Sequence, residues 1–117
     1  MSDVVFHRLD RDLIVQRLRD YAQCELTPRP EVREVVLIGS LARGDWSARS
    51  DADVVVIVDV ARERGPFRGS EYAPAKSVGV AVDVLVYTPE EAAAWSPRFK
   101  AEVARGVILY RREGLRN

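Results

Sequence analysis

Three stretches of the chain, EVVLI (Glu34–Ile38), DVVVIVD (Asp53–Asp59) and VGVAVDVLVY (Val78–Tyr87), consist almost entirely of β-branched and aliphatic residues. A strand wetted on one side alternates apolar with polar residues, whereas a nearly continuous run needs cover on both faces. The sequence therefore predicts a sheet sandwiched by helices. The first two runs are separated by GSLARGDWSARSDAD, a segment holding two glycines, two arginines and three aspartates. Such a segment cannot enter the core and is held at its rim.

The helices that cover the sheet are legible on either side. Val5, Leu9, Leu13, Ile14, Leu18, Tyr21 and Ala22 recur at three- and four-residue intervals among charged residues, which predicts an amphipathic helix over about 4–25. Thr27-Pro28-Arg29-Pro30 ends it, because two closely spaced prolines cannot continue a helix. Thr88-Pro89-Glu90-Glu91 is a helix start, with Thr at the N-cap, Pro at the first helical position and acids at the positive end of the helix dipole. This helix is expected to run toward Arg105, with a break at Ser96-Pro97, and to stop at Gly106 before a short strand Val107–Arg111. Residues 61–77 carry glycines, prolines and six charges without periodicity and read as a long, mobile loop. The fold class expected is α/β (α+β): a small mixed sheet with helices packed on it, forming one domain over 1–117.

Composition removes several function classes. Eighteen basic and eighteen acidic side chains leave no net charge, so there is no basic surplus of the kind that broad nucleic-acid binding requires. The single cysteine, Cys24, precludes an internal disulfide and argues against a cysteine-based metal site. No apolar run is long enough to span a bilayer, and the charged beginning MSDVVFHRLDRD does not resemble a signal peptide. The expected location is the cytoplasm, without membrane association.

The chemistry is concentrated in carboxylates. Residues two apart in a strand share a face, so Asp51 and Asp53 project together at the start of the second strand, and such a pair calls for a compensating cation with a preference for oxygen ligands, such as Mg²⁺. Asp83 interrupts the third apolar run, where an unpaired buried carboxylate would be costly. It either pairs with an arginine or caps a turn, or it joins Asp51 and Asp53; antiparallel pairing of the second and third strands is the arrangement expected to bring it there. Gly39-Ser40, at the end of the first strand and before the Leu-Ala-Arg43-Gly44 turn, reads as either a plain capped turn or a cradle of backbone N–H groups and a hydroxyl for a phosphate. An EF-hand is excluded because Val54, Val55 and Val56 stand where oxygen ligands and a glycine would be needed. A phosphatase of the haloacid dehalogenase type is excluded because its aspartates follow an apolar strand, whereas these precede one.

With these residues in place, the sequence resembles the minimal nucleotidyltransferases of the DNA polymerase β-like superfamily. Their pattern of Gly-Ser, ten residues and Asp-x-Asp, with a third acid on a later strand, is matched by Gly39-Ser40, Leu41 to Ser50, Asp51-Ala-Asp53 and Asp83. GSLARG and SDAD match its finer form, and the likeness extends over 34–110. The resemblance implies transfer of a nucleoside monophosphate from a nucleoside triphosphate, ATP in the expected case. Asp51, Asp53 and Asp83 would be the catalytic and metal-binding residues for one or two Mg²⁺ ions, and Gly39, Ser40 and Arg43 would contact the phosphates. Arg49 and Lys76 are further candidates for phosphate contact or plain surface charges; Trp46 either stacks on a base or packs its own loop; Asp45 is read as a turn residue and His7 as an exposed structural histidine.

A chain of this length leaves no room for the helical acceptor domain of larger relatives, so the acceptor surface is expected on another polypeptide. The resemblance points to a HEPN-domain toxin, with this chain as the antitoxin that transfers AMP to a hydroxyl of its partner. The alternatives are a binding antitoxin that masks its partner without catalysis, and transfer to a small antibiotic-type acceptor.

Overall fold

The computed structural model describes residues 3–44, 51–59 and 71–112, with side chains from Arg11 onward. The chain opens with helix α1 (Asp3–Tyr21), which widens into one π-helical turn at Ala22–Leu26 before the proline pair. Strand β1 (Val32–Ile38) leads into the single helical turn α2 (Ser40–Arg43). Strands β2 (Ala52–Val58) and β3 (Val82–Tyr87) follow, then α3 (Pro89–Ala93), α4 (Pro97–Ala104) and β4 (Val107–Arg111). The strands form one mixed sheet in the order β3-β2-β1-β4.

The two central strands are the ones whose sequences are most continuously apolar, and each feeds two cores. Val35 and Leu37 of β1 with Val54, Val56 and Val58 of β2 pack against Ile14, Leu18, Tyr21 and Ala22 of the first helical segment. On the opposite face Val36, Ile38 and Val55 lie beneath Trp95, Phe99 and Val103 of the α3–α4 layer. Leu13, expected on the apolar stripe of α1, is instead half exposed. The buried stripe follows Ile14, Leu18 and Tyr21, and a residue one position away is rotated about 100° from it. The expected break in the C-terminal helix is present: Ser96, preceding Pro97, is driven to extended backbone, and its hydroxyl accepts from the Phe99 amide. Thr88 and Glu91 form a reciprocal capping box at the start of α3.

Two further expectations, both about the third strand, are corrected here. The third strand begins at Val82 rather than Val78, because Val78 turns into the core under α1. More consequentially, β2 and β3 pair in parallel, whereas β1 pairs antiparallel with both β2 and β4. Parallel neighbours need a crossover of about a dozen residues or more, and residues 59–81 supply it. The described end of that crossover is fastened: the Tyr21 hydroxyl donates to the Tyr72 carbonyl, Tyr72 Oη donates to Glu31 at 2.9 Å, and Arg29 pairs with Glu71 at 3.1 Å while stacking 4.7 Å from the Tyr72 ring. The remainder of the predicted loop, to residue 70, lies outside the described residues.

Candidate active site

The parallel register carries both carboxylates to one end of the sheet. Ala52 stands opposite Val82 and Asp53 opposite Asp83, so the two aspartates are direct neighbours across β2 and β3. Alternation places Asp53 on the same face as Val55 and Asp83 on the same face as Leu85, the side covered by α4. Asp51 precedes Asp53 by two residues. Asp83 is exposed on this outer strand, as is Asp51, while Asp53 is half-buried. The expectation of a buried Asp83 is thus corrected: β3 is an edge strand, and its first residues meet solvent. Among the described residues Asp83 makes no ion pair with an arginine.

Asp53 is pressed against the end of β1. Ile38 is its register partner, and a Cβ built on the next residue, Gly39, would come within 2.9 Å of Asp53 Oδ2. Gly39 itself has φ +84° and ψ −162°, a backbone region that is essentially reserved for glycine. Glycine is therefore required here twice over, by the turn and by the carboxylate. Burial first, and then the charges of Asp83, Asp51 and Glu102, hold the Asp53 carboxyl above its ordinary value of 3.8.

The adjoining turn is held from both sides. Leu41 is fully buried, and Arg11 of α1 donates to the carbonyls of Leu41 (2.7 Å) and Ala42 (3.2 Å), groups that a one-turn helix cannot satisfy by itself. At its start, Gly39 is the N-cap, and the first backbone bond runs from the Arg43 amide to the Gly39 carbonyl. The amides of Ser40, Leu41 and Ala42 consequently have no intrahelical acceptor. The Arg43 side chain crosses to α4 and meets Glu102 Oε1 at 3.0 Å.

The sequence-predicted residues Gly39, Asp51, Asp53 and Asp83 are thus assembled at one edge, with Ser40 and Arg43 on the turn beside it. Among the described residues no three His, Cys, Asp or Glu side chains converge to a group that could hold a metal. Asp53 and Asp83 stand opposite one another across β2 and β3, with Asp51 two residues before Asp53, without the three closing on a point. Lys76 is elsewhere, in a groove with Arg17, Asp20 and Cys24 against α1 and the π turn. Asp45, Trp46 and Arg49, and the side chain of His7, lie outside the described residues. Glu102 and Arg11 were not legible as site residues: each acts through the packing of a distant helix, for which local sequence offers no signal.

Among the described residues, no helix is long and apolar enough to cross a membrane. A model of the nucleotidyltransferase domain family matches residues 15–112. A search of curated proteins finds no match. Among solved structures, a candidate nucleotidyltransferase from Sulfolobus solfataricus superposes with a TM-score of 0.66 at 20% identity, over 97% of this chain and 93% of that one. A toxin–antitoxin crystallised with AMP-PNP superposes with a TM-score of 0.58 at 18% identity, over 85% of this chain and 74% of that one. At these identities the two structures show a shared fold.

Proposed function

Since the chain belongs to the nucleotidyltransferase domain family, we propose that it transfers AMP from ATP to a hydroxyl on a partner protein, acting as the antitoxin of a HEPN-domain toxin. The observation that carries this reading is the in-register pairing of Asp53 with Asp83 beside the Gly39 turn. The fold shared with a toxin–antitoxin that binds AMP-PNP supports the partner and the nucleotide.

The residues present suit Mg²⁺. Their donors are carboxylate oxygens, the ligands this ion prefers, and Asp53 is held above its ordinary pKa by burial first and then by neighbouring acids, whose charge a cation would offset. Asp51, Asp53 and Asp83 would hold it. When bound, Mg²⁺ supplies charge neutralisation for the triphosphate and for the pentacoordinate transition state.

The remaining work falls to the chain. The amides at the start of α2, which have no intrahelical acceptor, and the Ser40 hydroxyl receive the terminal phosphates, with Arg43 adding a cation at their edge. Asp83, exposed at the outer edge of the sheet, is placed for an incoming acceptor and takes the proton of its hydroxyl. That oxygen forms a bond to the α-phosphorus as the bond from the α-phosphorus to the bridging oxygen of pyrophosphate breaks, and pyrophosphate departs with the electron pair. Positioning and charge account for most of the rate in such a reaction.

Incubation with the purified partner, Mg²⁺ and ATP labelled at the α-phosphate tests the reading. Label is expected on the partner and is expected to be lost with Asp53→Asn. Unlabelled partner that is nevertheless inhibited would instead establish masking by binding.

A further inference from the structure

Glu102 belongs to none of the motifs that mark this site, yet it reaches it from the other side of the chain. It projects from α4, whose Phe99 and Val103 are seated on Val36 and Ile38, the strand that runs into Gly39. Its carboxylate meets Arg43 Nη1 at 3.0 Å. Resting on the function proposed above, we propose that Glu102 is a positioning residue that orients the Arg43 guanidinium toward the triphosphate.

The alternative, a strut joining α2 to α4 for stability, is poorly matched to the geometry. Half of the Arg43 side chain and more than a quarter of that of Glu102 are exposed. Ion pairs this wet change a folding equilibrium by at most about fivefold, and α2 is already anchored by buried Leu41 and by Arg11. What the pair does accomplish is to restrict a side chain rich in rotamers. Arg43 sits one turn beyond Gly39, beside the amides assigned to the phosphates, and the long arginine side chain loses rotamer freedom on binding an anion there. The pair with Glu102 restricts that side chain in advance. The carboxylate acts through Arg43 and touches no reacting atom.

Binding of Mg²⁺ with a non-hydrolysable ATP analogue, measured by calorimetry, tests this without an acceptor. Glu102→Gln is expected to weaken binding about three- to fivefold, the size of an exposed ion pair's contribution, with an unchanged melting temperature. Arg43→Gln should weaken it at least as much, and the double variant should bind no worse than Arg43→Gln alone. Equal or tighter binding by Glu102→Gln overturns the inference, as does an undiminished effect of that substitution in the Arg43→Gln background. A fall in melting temperature that accounts for the lost binding assigns Glu102 to structure instead. Absence of binding by the unaltered chain would overturn the functional reading, and this inference with it.

Discussion

Replacing Gly39 by alanine probes the turn and the carboxylate together. The backbone contribution comes from φ +84° with ψ −162°, where any residue with a Cβ is strained by about 1–3 kcal/mol. The contact contribution comes from the 2.9 Å approach of the new methyl to Asp53 Oδ2. That oxygen is at the end of a side chain, so it can swing aside at small energetic cost, and the backbone contribution dominates stability. The melting temperature should fall by about 4–24 °C, since a domain near this size loses roughly 4–8 °C per kcal/mol. Activity should fall further than stability, because the displaced oxygen belongs to the residue at the centre of the carboxylate group. The two contributions separate in an Asp53→Ala background, where the contact vanishes and only the backbone cost of Gly39→Ala remains. Calorimetric melting of the four proteins makes the measurement. An unchanged melting temperature for Gly39→Ala in both backgrounds would refute the reasoning, for it would mean that the turn tolerates a Cβ.

Mg²⁺ should raise the melting temperature of the unaltered chain and have little effect on Asp53→Asn, with a shift that grows with ion concentration as site binding requires; equal shifts in both would remove Asp53 from the site. Gly106→Ala should cost about 1–3 kcal/mol in urea unfolding, because its methyl would lie 2.5 Å from Val36 Cγ1 and 2.6 Å from the Leu37 carbonyl oxygen. Asp59 accepts hydrogen bonds from Arg112 and Arg33, which hold its carboxyl below the ordinary 3.8. A depressed folded-state pKa gives stability that is complete above the unfolded value and is lost as pH falls through the folded one. Asp59→Asn should therefore destabilise modestly at pH 7, by under about 1 kcal/mol for so exposed a group, and leave a shallower loss of stability below about pH 4.

Much of the fold was legible because its signals are local. The continuous apolar character of Val54–Val56 reports cover on both faces, and Thr88-Pro89 and Ser96-Pro97 each carry the chemistry of a helix start. The direction of β3 was not legible, since Val82–Tyr87 has the same alternation whether it runs with β2 or against it. For Asp83 the apolar neighbours suggested a buried carboxylate, whereas those neighbours cover an edge strand whose first residues are wet. Pairing of Asp83 with the other acids was anticipated on the wrong geometry; the parallel register, Ala52 opposite Val82, produces it by a different route. Glu102 and Arg11 escaped detection for a common reason: nothing in RFKAEVA or LDRDL indicates which strand end the side chain will reach.

The parallel pairing of β2 with β3 also sets what counts as a correctly folded molecule. A slip of β3 by one residue would preserve a ladder of backbone hydrogen bonds and much of the secondary structure, but it would send Asp83 through the sheet to the side of α1. The strands that must find this alignment are joined through the long crossover 59–81, so the partnership of Asp53 and Asp83 is among the non-local contacts that are costly to close in folding. A preparation can thus pass for native by circular dichroism and still contain molecules without a competent site. Catalytic titre, more than helix or strand content, is the measure of register fidelity in this chain.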